Sequence, residues 1–176
     1  MEAVGIICEY NPLHNGHIYH IKQVKKLFPG KAIILVLNGY FLERGEVSIL
    51  SKENKTKLAL IYGVDLVVEL PFIYGTQSAD IFADAAIKIL GYLGCSYLVF
   101  GSESNNVEIL EKVAAIEESA EYNEKVKEST SMNSIHDEIK QKTKYKISNI
   151  QLKMVMLYLG WVKNGAFNID KPKNDD

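Results

Sequence analysis

The amino-acid sequence predicts an α/β fold built on a doubly wound parallel sheet of the Rossmann-like type, with a C-terminal helical extension. Short β-branched runs alternate with longer stretches of helical periodicity over about the first 100 residues, which is typical of strand–helix–strand units. Because sequential parallel strands tend to be neighbours and their crossovers are right-handed, we expect the strand order to reverse beside the first strand.

Four strands and three intervening helices are expected. The strands are predicted at 3–9, 31–37, 64–70 and 96–100. The first helix, 16–28, carries its apolar residues on one face and ends at Pro29. Ser51 is predicted to cap the second helix, 51–63, and the third helix spans 78–92.

The remainder of the chain has a different pattern of charged and apolar residues. A long charged helix is predicted from Val107, and residues 149–164 have the pattern of one more amphipathic helix. We therefore divide the chain into a nucleotide-binding type of domain, 1–128, and a helical extension with a polar tail, 129–176.

Composition narrows the class of protein. The chain has 176 residues, 47% of them hydrophobic and 24% charged, which is enough for one full core. A net charge of -2 gives no global attraction to nucleic acid or to an anionic membrane. Cys8 and Cys95 lie in apolar runs without metal or disulfide spacing, and no apolar run approaches a membrane span. We expect a cytoplasmic protein.

Three polar, glycine-containing segments are expected to meet at one edge of the sheet. They are 11–17, 38–44 and 101–105, and each follows a predicted strand. Ligands of doubly wound sheets bind beyond the carboxyl ends of the strands. This crevice is therefore the predicted ligand site.

The segment from Asn11 to His17 carries the chemistry of that crevice. It places His14 and His17 where a strand gives way to a helix, and free N–H groups with the helix dipole favour an anion such as phosphate there. Gly16 is expected to let the backbone approach the ligand. Two alternatives remain open: a metal site made of His14, His17 and His20, or a polar loop without a catalytic role. His20 by itself is also explained as a surface or packing residue.

Lysines and an arginine near the crevice have two interpretations each. Arg44 lies in a glycine-flanked loop, where its guanidinium is suited to hold phosphate or an acidic substrate, or to form a structural salt bridge. Lys52, Lys55 and Lys57 are explained by steering of phosphate or RNA, or by a solvated helix face. The lysine-rich stretch 140–146 is open to the same two interpretations.

Five segments form an ordered series of motifs along the chain. They are 5–20, 38–46, 64–71, 77–83 and 100–103. A lone His-x-Gly-His motif is a weak signal, whereas an ordered series of matches is a strong one. The series resembles the tRNA(Met) cytidine acetate ligase family, within the His-x-Gly-His nucleotidyltransferase superfamily.

The resemblance implies a nucleotidyltransferase type of fold and an ATP-dependent ligase. Members of this family activate acetate to acetyladenylate and transfer the acetyl group to N4 of the wobble cytidine of elongator tRNA(Met). The resemblance further implies that Mg²⁺ accompanies ATP and that no metal is held by protein ligands. By position, the catalytic residues are His14, His17 and Arg44. The implied ATP-binding residues are Ile7, Cys8, Glu9, Tyr10, Asn11, Pro12, His14, Asn15, Gly16, His17, His20, Gly101, Ser102 and Asn174.

The resemblance weakens towards the C-terminus. Lys173 stands where the family has the first asparagine of a Lys-Pro-Asn-Asn segment, and a later Ser-Ser and arginine motif has no counterpart. We expect a truncated chain. Two other functions stay open: an adenylyl- or cytidylyltransferase acting on a different small molecule, and an inactive nucleotide-binding module.

Overall fold

The structure, a computed structural model, describes residues 2–101 together with Glu108, Lys112 and Ala115. Strands and helices alternate along this part of the chain, as predicted. In chain order they are β1 (Ala3–Cys8), α1 (Asn15–Leu27), β2 (Ala32–Asn38), α2 (Lys52–Ile61), β3 (Leu66–Leu70), α3 (Phe72–Gly75), α4 (Ala79–Tyr92) and β4 (Cys95–Leu98).

The sheet has four parallel strands in the order β3-β2-β1-β4. Its register places Ile6 beside Leu35 and Leu35 beside Val67. The chain runs outward from β1 to β3 and then returns to the other side of β1. The predicted reversal of strand order beside the first strand is confirmed, and it leaves a crevice at the carboxyl end of β1.

Helices cover both faces of the sheet because alternate strand residues are apolar on both sides. On one face Val4, Ile6 and Leu35 pack with α1 and α2 and are at most 1% exposed. On the other face Ile34 and Val36 pack with α4. Burying each such side chain contributes about 1.5–3 kcal/mol. The predicted doubly wound α/β class is confirmed.

Local sequence signals set the ends of α2. The Ser51 hydroxyl accepts a hydrogen bond from the Asn54 backbone N–H at 3.3 Å, so the predicted N-cap is confirmed. After the helix, Gly63 adopts a φ of 106° and donates its N–H to the Ala59 carbonyl at 3.1 Å. Only glycine takes that backbone conformation at little cost.

Some elements differ from the predictions or lie outside the described part of the chain. The short helix α3 was not predicted, because a four-residue helix is too short to show a period. Glu108, Lys112 and Ala115 are helical, in agreement with the charged helix predicted from Val107. The helix 149–164 and the boundary at 128/129 lie outside the described residues. No helix within the described part is long and apolar enough to cross a bilayer.

Gly5 provides a test of the packing between β1 and α4. A Cβ at this position would lie 2.6 Å from Leu90 Cδ1 and 3.1 Å from Leu90 Cγ. We expect Gly5→Val to lower the free energy of unfolding by about 1–3 kcal/mol because the added side chain would overlap Leu90, which is only 2% exposed. Urea unfolding measures the change, with Gly101→Ala as the control, since a Cβ there meets no atom within 4 Å. Equal stability of the Gly5→Val variant and the wild type would contradict this packing.

Candidate functional site

Two histidines form the N-terminal cap of α1. His14 is the N-cap residue, and its Nδ1 accepts a hydrogen bond from the Gly16 backbone N–H at 3.1 Å. The His14 backbone N–H in turn donates to His17 Nδ1 at 3.3 Å. The arrangement is a capping box in which imidazole nitrogens replace the usual oxygens. The sequence therefore uses both rings to begin the helix.

The cap also fixes the tautomer of both rings. A neutral imidazole has one N–H donor and one acceptor nitrogen, and in both rings Nδ1 is the acceptor. Each neutral ring therefore carries its proton on Nε2. The rings are stacked with centroids 3.8 Å apart and an interplanar angle of 22°. The pair presents two N–H donors side by side at the N-terminus of a helix, which suits phosphate oxygens.

His17 is held in its neutral form. Burial, together with the smaller effects of the neighbouring rings of His14 and His20, lowers its pKa from 6.5 to about 4. Two adjacent cations would repel each other at this separation. The pair therefore acts as a hydrogen-bond donor at neutral pH without carrying two charges.

Gly16 has a structural role in addition to the one predicted. A Cβ at Gly16 would lie 3.0 Å from His14 Cε1 and 3.1 Å from His14 Nδ1. The glycine therefore makes room for the capping imidazole. Close approach of a ligand to this glycine stays a prediction.

An open cavity of about 360 Å³ adjoins the histidine pair. Its volume is in the range of small-molecule pockets. It brings together predicted residues from the end of β1 and from α1, and it adds one aromatic ring from α4 that the sequence did not indicate. The lining residues are Ile7, Cys8, Glu9, Tyr10, Asn11, His17 and Phe82.

The turn after β1 is tightly fixed. Tyr10 is 1% exposed and has a φ of 46°, which is unusual for a residue other than glycine. Its ring lies 4.7 Å from the His17 ring, and the peptide bond between Asn11 and Pro12 is cis. Burial raises the pKa of the Tyr10 hydroxyl and raises that of the Cys8 thiol to about 11. Both side chains are therefore neutral parts of the cavity wall.

Lys55 occupies a position that the sequence did not indicate. It is completely buried, and its ammonium donates to the carbonyls of Asn38 at 2.7 Å, Gly39 at 2.8 Å and Glu9 at 3.3 Å. Both interpretations given to this lysine, steering and a solvated helix face, are wrong. The available signal was its spacing of four residues from the buried Ala59, which places both on one helix face.

A side-chain network joins the crevice to the loop after β2. Glu9 Oε1 accepts hydrogen bonds from the Glu43 backbone N–H at 2.8 Å and from Asn38 Nδ2 at 3.2 Å. Asn38 Nδ2 also donates to the Gly75 carbonyl at 3.1 Å. The ends of β1 and β2, the loop and α3 are thereby held together.

Asn11 holds the same loop from the other side of the cavity. Its side-chain oxygen accepts hydrogen bonds from the Ile49 backbone N–H at 2.7 Å and the Ser48 hydroxyl at 3.4 Å. The loop that contains Arg44 is therefore attached to the predicted ATP-binding segment.

Several predicted residues lie apart from this cavity. Arg44 is exposed, and its guanidinium has no ion-pair partner within the described part of the chain. His20 is half-buried in α1 and does not line the cavity, which agrees with its interpretation as a packing residue. Gly101 follows β4 and is exposed. Ser102 and Asn174 lie outside the described residues.

Two further predicted residues adjoin the cap. Pro12 forms the cis peptide bond and Asn15 is the first residue of α1.

Among the described residues no group of three or more His, Cys, Asp or Glu side chains is placed to hold a metal ion. The alternative of a tris-histidine metal site has no support in this geometry, because both Nδ1 atoms accept backbone hydrogen bonds.

A second cavity, of about 440 Å³, lies between α2 and the strands β2 and β3. Lys52 on its rim pairs with Glu69 at 2.8 Å, and Glu53 accepts a hydrogen bond from the Tyr40 hydroxyl at 2.9 Å. These charges already have partners. The histidine cavity, although smaller, offers the donors suited to an anionic ligand.

The fold and the site together define an α/β domain of the His-x-Gly-His nucleotidyltransferase type. The chain belongs to the family described as HIGH Nucleotidyl Transferase, whose sequence profile matches residues 1–169. The resemblance to that superfamily predicted from the motifs is confirmed.

Curated relatives carry the name predicted from the resemblance. The tRNA(Met) cytidine acetate ligase of Fusobacterium nucleatum is 48% identical over 120 residues, which are 68% of this chain and 30% of that protein. The protein of the same name from Bacillus licheniformis is 50% identical over 115 residues, 65% of this chain and 28% of that protein. The chain thus spans about a third of the length of these relatives.

Solved structures with the same fold include one with a nucleotide. Thermotoga maritima TmcAL bound with alpha-thio ATP superposes with a TM-score of 0.76 at 33% identity, over 94% of this chain and 44% of that one. The apo form of the same protein gives a TM-score of 0.77 at 31% identity, over 96% of this chain and 44% of that one.

The neutral state of His17 is directly measurable. We expect the His17 ring in the folded protein to titrate near pH 4, because protonation requires a charge in a partly buried position. Since the folded pKa is below the unfolded value, stability is full above about pH 6.5 and falls as the pH drops towards 4. An NMR titration of the ring protons measures the midpoint, and a His17→Gln variant should show a weaker loss of stability over this interval. A midpoint at or above 6 would contradict the account.

Proposed function

We propose that this chain binds ATP in the cavity at the carboxyl end of β1 and uses it to activate acetate as acetyladenylate. In the complete protein the acetyl group then passes to N4 of the wobble cytidine of elongator tRNA(Met). The observation that carries the proposal is the stacked pair of histidines whose Nδ1 atoms both accept backbone hydrogen bonds, which leaves Nε2–H as the donor of each neutral ring, with His17 lining the cavity. The TmcAL structure with alpha-thio ATP and the names of the relatives support it.

The chemistry proceeds in two substitutions. A carboxylate oxygen of acetate attacks the α-phosphorus of ATP, the bond to the bridging oxygen breaks, and pyrophosphate leaves with the bonding electrons. The cytidine N4 amine then attacks the acetyl carbonyl, AMP leaves, and the nitrogen loses a proton. Negative charge on the phosphate oxygens is the feature that donors must stabilise in the first substitution.

His14 and His17 act as those donors. They are already oriented by the helix cap, so little reorganisation accompanies the reaction. One such donor is worth roughly 3 kcal/mol, or about 100- to 1,000-fold in rate. The segment from Ile7 to Asn11 forms the wall along the nucleotide.

The remaining predicted residues are assigned supporting roles. Asn15 and Gly16 belong to the helix N-terminus that faces the phosphates, with Pro12 and His20 completing the segment. Arg44 holds a phosphate or the acidic substrate. Gly101 is assigned to contact with the adenosine, and Ser102 and Asn174 are assigned to ATP binding.

Magnesium accompanies ATP in this proposal. Mg²⁺ in nucleotide sites is held mainly by phosphate oxygens and water with one or two carboxylates, and Glu9 lines the cavity as a candidate carboxylate. When bound, the ion would neutralise charge on the phosphates.

Replacement of a histidine tests the proposal. We expect His17→Ala to reduce acetate-dependent exchange of pyrophosphate into ATP by about 100- to 1,000-fold, because one donor to the phosphate is lost. His17→Gln should retain part of the activity, since its amide can donate from a similar position. Lys22→Ala, on the exposed side of α1, serves as the control and should match the wild type.

The same assay separates the proposal from its competitors. Exchange that requires a phosphorylated small molecule in place of acetate would indicate an ordinary nucleotidyltransferase. ATP binding without any exchange would indicate an inactive nucleotide-binding module.

A further inference from the structure

Lys55 is an exceptional residue in this fold. Together with Asn38 it forms the set of polar or charged residues that are buried in the described part of the chain. It lies on α2, while its ammonium reaches the carbonyls of Glu9, Asn38 and Gly39 at the ends of β1 and β2. All three ammonium hydrogens thus have acceptors from the backbone.

Core packing does not explain a cation at this position. No carboxylate forms an ion pair with Lys55 within the described residues, so carbonyl dipoles and the more distant charge of Glu9 stabilise it. Desolvation by burial lowers the pKa of Lys55. An apolar side chain of similar volume avoids the desolvation of a charge altogether. The lysine therefore suggests a role beyond stability.

We propose that Lys55 is a positioning residue for the ATP site. From α2 it holds the backbone carbonyls at the ends of β1 and β2, and these strand ends lead into the site. The proposal rests on the proposed function of that site. Lys55 itself faces the backbone and donates all its hydrogens there, so it acts on the nucleotide through other residues.

The geometric path from Lys55 to the cavity is short. The carbonyl of Glu9 immediately precedes Tyr10, whose backbone has the left-handed φ of 46°. Tyr10 lies against the His17 ring, and both line the cavity. Holding that carbonyl fixes the peptide that leads into Tyr10 and so fixes the turn into the histidine cap.

A second path runs through Asn38. Its carbonyl accepts from Lys55 while its side chain donates to Glu9 Oε1, which also lines the cavity. Lys55 therefore fixes Glu9 through its own carbonyl and through Asn38. Loss of the ammonium should free the carbonyls of Glu9 and Asn38, and with them the part of the cavity wall that Glu9 forms.

Lys55→Met tests the proposal, with Lys57→Met as a matched control on the same helix. Lys57 is exposed, whereas Lys55 is fully buried. Calorimetry with ATP is carried out where circular dichroism shows each variant to be folded. We expect Lys55→Met to weaken ATP binding at least tenfold and Lys57→Met to change it less than twofold. In the exchange assay Lys55→Met should raise KM for ATP and also lower kcat.

A purely structural role gives a different result. Lys55→Met would then unfold at a lower temperature, while its folded form bound ATP as the wild type does, and that result would overturn the inference. If the wild type itself bound no ATP, the proposed function would fail and this inference with it. If the wild type binds ATP and catalyses acetate-dependent exchange, and Lys55→Met does both equally well, this inference fails while the proposed function stands.

A pH profile decides the matter if Lys55→Met does not fold. The charged or titratable groups facing Lys55 are Glu9 and Cys8 at the end of β1 and Glu69 of β3, and the Cys8 thiol has a pKa of about 11. Because the pKa of Lys55 is lowered, it loses its proton before exposed lysines do. We expect wild-type ATP affinity to fall as the pH is raised from 7.5, and to fall at a lower pH than in Lys55→Arg, whose guanidinium does not titrate. A wild-type profile that coincides with that of Lys55→Arg would overturn the inference.

Discussion

The carbonyl groups where β1 and β2 end set the central constraint on this structure. A parallel sheet leaves such groups without a ladder partner at its carboxyl edge, and buried carbonyls need donors. Lys55 supplies three donors from α2 at the point where the two strands diverge. The turn into α1 and the loop after β2 both start from carbonyls that it holds.

The histidine pair is the second consequence of the architecture. A helix that begins at the carboxyl end of a central strand needs its first N–H groups satisfied. His14 and His17 meet that need with Nδ1, which leaves Nε2 of each ring as a donor. A serine or aspartate cap would satisfy the helix equally well but would present no donor pair to an anion. The same two rings thus connect the stability of α1 to the chemistry proposed for the crevice.

Much of the fold was predictable because it depends on periodicity and local signals. The four strands, their order and the Ser51 cap follow from β-branched runs, connection rules and a residue with a known preference. The location of the cavity also followed, since it lies at the reversal of strand order. Helix α3 had no signal of this kind.

The finer features of the site required coordinates. Lys52, Lys55 and Lys57 look equivalent in the sequence, yet Lys55 alone among them lies on the face that packs beneath the strand ends. Phe82 reaches the cavity from α4, far away in the sequence. The contact between Gly16 and the His14 ring depends on a rotamer. Burial and side-chain direction of this kind arise from tertiary packing, which a single sequence does not specify.

The central claim is that neutral imidazole donors of the α1 cap bind the triphosphate of ATP. Titration of the uniformly ¹⁵N-labelled chain with ATP at neutral pH tests it most directly. The account predicts that the Nε2 signals of His14 and His17 shift together with one binding constant while both Nδ1 atoms remain acceptors. Unchanged histidine signals, with ATP perturbing instead the residues around Lys52 and Lys57, would contradict it.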